Sequence, residues 1–471
     1  MTGRRLLPTL PLLVVVVSLL PLVASLAFGV FMERLTMDVA LSFAVLGMAL
    51  SVHCLHAVRG RSNSAADASV FAFGLMFLLV APIVQLLVLG FKLVNTTHAV
   101  PDLIIQTNLA CSLFIGSYLL ARVTVLKSPT VAPAVKAAAA LPTNLFSLSL
   151  LVALCVFITL LSIPFIGITS ADQSFSPVVL AFRKFVFFIP TAMFLIALAE
   201  YKSSGSQRNF LYVVLLVMLF ACVLATQNPG TEKRNAFGPV YLAALYLLFR
   251  PSLQRRGVQV AWLVGVLLIL FPFASLFTHV RLVYLSEEAF QWTVLSDHFL
   301  STHYDAWANI YTTVEMVGRN GLSGGKQLMG ALLFYVPSTW WSGKPLATGI
   351  EIGNFLTSFY TMWFTNLSAP LVAEGFLDFG YLGVVAYGVA LAAIVKAVER
   401  WAASGQSAAV QAVAVYLCFF LVFLLRGSLM IALAYGSGAI AAFLFSRMLM
   451  GFLRSVAVAR RPIRRDSVAT P

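Results

Sequence analysis

The sequence predicts an all-α, polytopic membrane bundle of about twelve spans, and three observations carry that expectation. Hydrophobic residues make up 60% of the 471 positions. Charged residues make up only 10%, where soluble chains carry about 25%. Apolar runs of about twenty residues, long enough to cross a bilayer, recur from end to end, and the mean hydropathy is +0.94. Backbone groups in hydrocarbon must be satisfied within their own segment, so each run is expected as a helix of one integral membrane domain spanning 1–471.

The runs fall near 6–31, 36–58, 69–94, 102–123, 145–167, 177–200, 209–226, 236–250, 257–278, 370–395, 408–425 and 428–452. Arg4 and Arg5 precede the first run as they would a signal peptide, and "VASLAFG" offers small residues for cleavage. That run is longer than a signal core and another follows at once, so it reads as a retained first span. The eighth run is short, and almost nothing separates the last two. All five cysteines lie inside apolar runs without CxxC spacing, which makes them buried, inert thiols.

Charge orients the bundle. With the N-terminus inside, inner loops hold twenty of the 31 basic residues. Outer loops hold nine: Arg34, Lys92, Lys233, Arg234, Arg281, Arg319, Lys326, Lys344 and Arg426. Arg183 and Lys184 fall within the sixth run. Basic residues flanking spans stay cytoplasmic, so both termini are expected inside and the long 279–369 segment outside. Only Asp67, Glu200, Glu399 and Asp466 of the 17 acidic residues lie inside. The net charge of +14 is then largely a topology signal and an attraction to anionic lipid, with no need for nucleic acid. The tail at 456–471 reads as a basic, cytoplasmic, lipid-facing end.

The segment between the ninth and tenth runs is long enough to carry structure of its own. Trp307, Ile310, Tyr311, Val314 and Val317 recur at helical spacing until "GRNG" stops the pattern. A second short helix is expected over Ser286 to Leu300. Both read as amphipathic helices on the outer membrane boundary, anchored by tryptophan.

Several groups are candidates for chemistry. In "TQNPGTEKRNAFGP", Asn-Pro-Gly makes a turn and Lys233 and Arg234 sit where a helix begins, offering positive potential to a phosphate; an ordinary solvated turn is the plain alternative. Arg183 and Lys184 lie several residues into an apolar run. Either the pair snorkels to the outer interface, or Arg183 faces an internal aqueous cavity and meets an anionic head group. Arg426 is either a boundary marker or a further cation of such a cavity. Glu374 and Asp378, four residues apart at the start of the tenth run, are placed to act as a base or bind a sugar hydroxyl, or to stabilise their own helix N-terminus. His303 and Asp305 form a possible acid/base set. The histidines lack zinc-ligand spacing, so no metal is expected, and the sequons at Asn95 and Asn366 carry no weight. In "FYVPSTWWSGKP", Pro337 and Pro345 stiffen the path, Trp340 and Trp341 supply flat faces for sugar or head groups, and Lys344 is a diphosphate or carboxylate contact or a snorkelling lysine.

The succession of "GTEKRNAFGP", "HYDAWANIY", "GGKQLMGALLFYVPSTWWSGKP" and "SAPLVAEGFLDFGYLG" resembles the O-antigen polymerase family (Wzy-type, oligosaccharide repeat-unit polymerases) of bacterial envelopes. The resemblance covers about Thr226 to Gly383; the first half matches only as a set of spans. Family members often carry a basic residue soon after the first proline of the Pro-to-Lys-Pro element. Here Ser338 stands there, leaving Lys344.

The resemblance implies a glycosyltransferase of the inner membrane that moves a growing glycan from its polyprenyl diphosphate onto the non-reducing end of a new lipid-linked repeat, at the outer (periplasmic) face of that membrane, without a nucleotide sugar or other cofactor. It also admits a chain-length regulator as partner. The leaving diphosphate builds negative charge that fixed cations stabilise: Arg234 and Arg183, with Lys344 and Arg426 as further candidates. Glu374, Asp378, Asp305 and His303 are the candidate bases, and Trp340 and Trp341 would hold sugar or the lipid neck. An O-antigen ligase would use the same cations with another acceptor. A metal-dependent lipid-phosphosugar transferase fits less well, because Glu33 and Asp38 form no tight acidic pair. A flippase or other transporter, the reading from a different class, would need polar groups along a path through both leaflets.

Overall fold

A computed structural model describes residues 15, 16, 19, 36–59, 64–90, 92–126, 145–165, 176–203, 210–230, 232–254, 257–271, 297–403 and 407–459. The first apolar run, the basic tail beyond 459 and nearly all of the helix expected at 286–300 lie outside them.

Each of the other eleven apolar runs is a helix: α1 (Met37–Arg59), α2 (Ala65–Leu89), α3 (Pro101–Thr124), α4 (Leu145–Ser162), α5 (Pro177–Ser203), α6 (Phe210–Thr226), α7 (Arg234–Leu253), α8 (Val258–Gly265, continuing as a π-helical turn over Val266–Leu270), then α12 (Leu371–Ala403), α13 (Ala408–Arg426) and α14 (Leu429–Ala459). Between them lie α9 (Ala306–Asn320), α10 (Lys326–Leu332) and α11 (Thr348–Phe359). Among the described residues nine helices are long and apolar enough to span a bilayer, with α6 and α8 shorter. The chain is a multi-pass helical membrane protein. Its large apolar core runs continuously from α1 to α14, and consecutive helices alternate between a loop-rich end, where 302–370 sits, and an opposite end.

The most extensive pairing joins α5 to α14. A Cβ on Gly438 would meet the Ala181 carbonyl oxygen at 2.3 Å and Lys184 Cβ at 3.1 Å, so only glycine lets these two backbones approach. The other special glycine breaks α12. Phe379 (φ −140, ψ 17) and Gly380 (φ 61, ψ −144) leave helical geometry, so the short half carrying Glu374 and Asp378 is set at its own angle to the long apolar half.

The segment before α12 departs from expectation. The helix of Trp307 forms as α9, but its tryptophan is packed inside the protein rather than turned outward as an anchor. Trp307, Ile310 and Tyr311 are fully buried, and Trp307 Nε1 donates to Asn108 on α3 at 2.9 Å. Gln85 of α2 donates to the carbonyls of Phe299 and Tyr304, and Asn95 donates to Asn309 and Thr312. The physical reason is polar satisfaction: spans α2 and α3 present amides that need partners in a dry interior, and this segment supplies them. The sequence periodicity marks one face of α9 as apolar without saying whether lipid or protein covers it.

Candidate functional site

At the loop-rich end, α5, the 226–232 loop and α14 enclose a small cleft lined by Arg183, Lys184, Phe187, Gln227, Glu232 and Tyr435 among others. The loop is shaped as its sequence predicts. Asn228 Oδ1 accepts from Gly230 N at 2.8 Å, and the Tyr241 hydroxyl of α7 donates to the Gln227 carbonyl at 2.9 Å. The adjacent cations of α5 face the cleft differently. Arg183 lies 3.9 Å from a Glu232 oxygen and 5.2 Å from the centre of the Phe187 ring. Lys184 is buried at 5% exposure. Its Nζ donates to Gln227 Oε1 at 2.9 Å and sits over the Phe188 and Tyr435 rings at 4.6 and 5.7 Å. Amide oxygen and π-faces solvate an ammonium in part, but neither cancels its charge. The cleft thus sets two basic side chains, Arg183 and Lys184, against one carboxylate, Glu232.

Lys233 caps the start of α7 and is exposed. Arg234 opens that helix, and its side chain lies outside the described residues. Both flank the loop that closes the cleft.

The second group of candidates forms a polar stack between α9, α12 and the start of α14. Asp305 and Arg426 come together as a buried ion pair at 3.0 Å. Ser368 Oγ and Asn309 Nδ2 donate to the two Asp305 oxygens at 2.8 and 3.0 Å, and the guanidinium lies 5.7 Å from the Phe77 ring centre. Arg426 is thus spent on Asp305 and does not line the Lys184 cleft. His303 stacks on His298 with ring centroids 4.8 Å apart, two residues before Asp305.

Glu374 and Asp378 share a buried face, as their spacing predicts, but each stabilises the N-terminus of another helix rather than its own. Glu374 accepts from Leu429 N at the start of α14 at 2.7 Å and from Thr348 Oγ1 at 2.6 Å. Asp378 accepts from Gln327 N and Leu328 N at 3.0 and 2.8 Å, and from Ser323 Oγ. Carboxylates at helix N-termini satisfy orphan N–H groups and meet the positive end of the dipole. From Leu429 to Tyr435, α14 rises about 9 Å, so one helix start joins the carboxylate layer to the cationic cleft.

The "FYVPSTWWSGKP" stretch forms the turn from α10 to α11. Lys344 Nζ donates to the Phe334 and Val336 carbonyls, both at 2.7 Å, which ties the loop onto the end of α10. Partial burial lowers its proton affinity below that of an ordinary lysine. Trp340 is 84% exposed and Trp341 is half-buried.

Residues that sequence reasoning did not assign to the site are Lys184, Gln227 and Tyr435. Gln227 lies within the loop singled out on other grounds, and Lys184 stands beside Arg183. Nothing in the chain order announces Tyr435, which arrives through the close α5–α14 packing. Among the described residues no cluster of His, Cys, Asp or Glu has the makings of a metal site. No protein-family model, no curated protein and no solved structure matches this chain.

Proposed function

We propose that this chain is a lipid-linked oligosaccharide polymerase. It acts at the periplasmic face of a bacterial inner membrane, with twelve spans, both termini cytoplasmic and 279–369 outside. One observation carries the reading: a cleft at the loop-rich end of the spans where Arg183 and a buried Lys184 face a single carboxylate, Glu232, beside the bilayer where a membrane-borne diphosphate arrives. The resemblance of 226–383 to oligosaccharide polymerases supports the same assignment.

In this reading the acceptor hydroxyl gives its proton to a base and attacks the anomeric carbon of the growing glycan. The bond from that carbon to the lipid diphosphate breaks, and the departing diphosphate carries its charge toward Arg183 and Lys184, with Lys233 and Arg234 at the rim. Glu374 and Asp378, committed to helix N-termini, act as positioning residues. The base role falls to His303, with Asp305, held by Arg426, Ser368 and Asn309, as a further positioning residue. Trp340, exposed on the same side, offers a face for sugar.

The test is the surface glycan of a host lacking the gene. A single repeat unit in place of a ladder is expected; an unchanged ladder, or repeats trapped in the cytoplasm, overturns the reading. Complementation with Lys184→Met or Arg183→Ala at normal membrane abundance is expected to cut extension by about 100-fold, the scale of losing one donor to a developing oxyanion. A normal ladder from both variants would remove the cleft from the chemistry.

A further inference from the structure

At the opposite end of the bundle, far from the cleft, a second set of charges is buried more deeply than topology requires. Arg122 of α3, with a fully buried side chain, donates through Nε and Nη2 to the two oxygens of Asp67 in the first turn of α2, at 3.2 and 2.7 Å. The same Nη2 reaches Glu399 Oε1 of α12 at 2.7 Å, and Nη1 donates to the Leu126 carbonyl. The Tyr118 hydroxyl donates to Asp67 Oδ1. His56 Nε2 of α1 stands 3.9 Å from Asp67 Oδ2, with its ring 23% exposed. One turn earlier His53 is fully buried against Tyr118, centroids 5.2 Å apart, and neither ring nitrogen has a hydrogen-bond partner.

Among the described residues two buried carboxylates share one guanidinium, so with both ionised one negative charge is left over within the cluster. Such a charge is costly in a low-dielectric interior. The surroundings distinguish the two acids. Asp67 receives both arms of Arg122 and the Tyr118 hydroxyl and faces His56. Glu399 receives one N–H, already shared, and its buried Oε2 has no hydrogen-bond partner. Ser64, the N-cap of α2, lies within hydrogen-bonding reach of the Glu399 carboxyl and is a neutral partner. Cys418 of α13 adds no cation, and Lys396 on the rim is turned to the Val125 carbonyl.

We propose that Glu399 is a proton-binding site: its carboxyl carries one proton at neutral pH, exchanged with the adjacent aqueous phase by way of partly exposed His56 and Asp67. The protonated cluster is neutral and clamps α12 to α2 and α3. Loss of the proton leaves a buried negative charge and loosens the clamp. Because α12 carries Glu399 at one end and Glu374 and Asp378 at the other, the site links conditions on this side to the geometry of the carboxylate layer.

Infrared difference spectroscopy on the purified full chain in lipid nanodiscs tests this directly. A carbonyl stretch of a protonated carboxylic acid is expected in the wild type at neutral pH, bleaching as pH is raised and missing in Glu399→Gln. The wild type should melt at lower temperature as its proton is lost, because the folded state then binds more protons than the unfolded. Glu399→Gln, an isosteric neutral side chain, should hold its melting temperature through that range. No such band in the wild type, a band that persists in Glu399→Gln, or a variant that melts well below the wild type at neutral pH would each overturn the proposal.

Discussion

Asp305 and Arg426 illustrate what a single residue does in this interior. Asp305 is buried and Arg426 nearly so, and each satisfies a charge the other would leave stranded. Removing one partner of a buried pair costs about 3–5 kcal/mol, whereas replacing both by apolar groups of similar volume is often near neutral. Asp305→Ala is therefore expected to lower the melting temperature of the detergent-solubilised protein strongly. Arg426→Met added to it should recover most of the loss. Simple addition of the two losses would show that the pair is not coupled. Lys344 teaches a related lesson: a lysine read from sequence as a ligand contact spends two N–H groups on its own loop's carbonyls.

The starts of α10 and α14 are capped across the fold, whereas α2 and α13 carry local serine caps. α10 begins at Lys326 after Gly324 and Gly325, with no side-chain cap of its own; Asp378, more than fifty residues later, supplies the acceptor. Asp378→Ala should destabilise α10 by about 1 kcal/mol or more, the usual worth of a cap, and Asp378→Asn by less, since the amide oxygen still accepts. Hydrogen exchange of amides 326–333 reads the difference, and equal protection in the wild type and Asp378→Ala would count against the cap. The break at Gly380 belongs to the same logic, since it turns the half-helix so that Glu374 and Asp378 each reach a different helix start. Gly380→Ala, forced to positive φ, should weaken both contacts together at a cost of about 1 kcal/mol.

At the scale of the whole molecule, α5 and α14 bring together parts of the chain some 250 residues apart, and the cleft exists only because they do. Gly438→Leu should separate them, reducing the amount of folded protein in the membrane and removing the Tyr435 wall of the cleft. Retention of wild-type abundance and wild-type glycan ladders would show that the pairing is not needed. The positions of eleven helices were legible in the sequence because each apolar run must close its own hydrogen bonds in lipid. The identity of the loops carrying charge was legible too, since ionised residues are rare enough in such a chain to stand out. Which charges meet was not: Arg183 and Lys184 are neighbours with different surroundings, and Arg426 pairs with Asp305 across a sequence separation of 121, which no local pattern encodes.

The sequence by itself determined that this protein is a helical membrane bundle, where most of its helices run, and which few ionised residues are worth asking about, because hydropathy and charge act locally along the chain. Only the tertiary structure decided that the Trp307 helix is buried, that Glu374 and Asp378 cap distant helices, and that Lys184 shares a cleft with Tyr435. Those outcomes depend on which polar group finds its partner across the bundle, and in a dry interior that choice is made by packing in three dimensions.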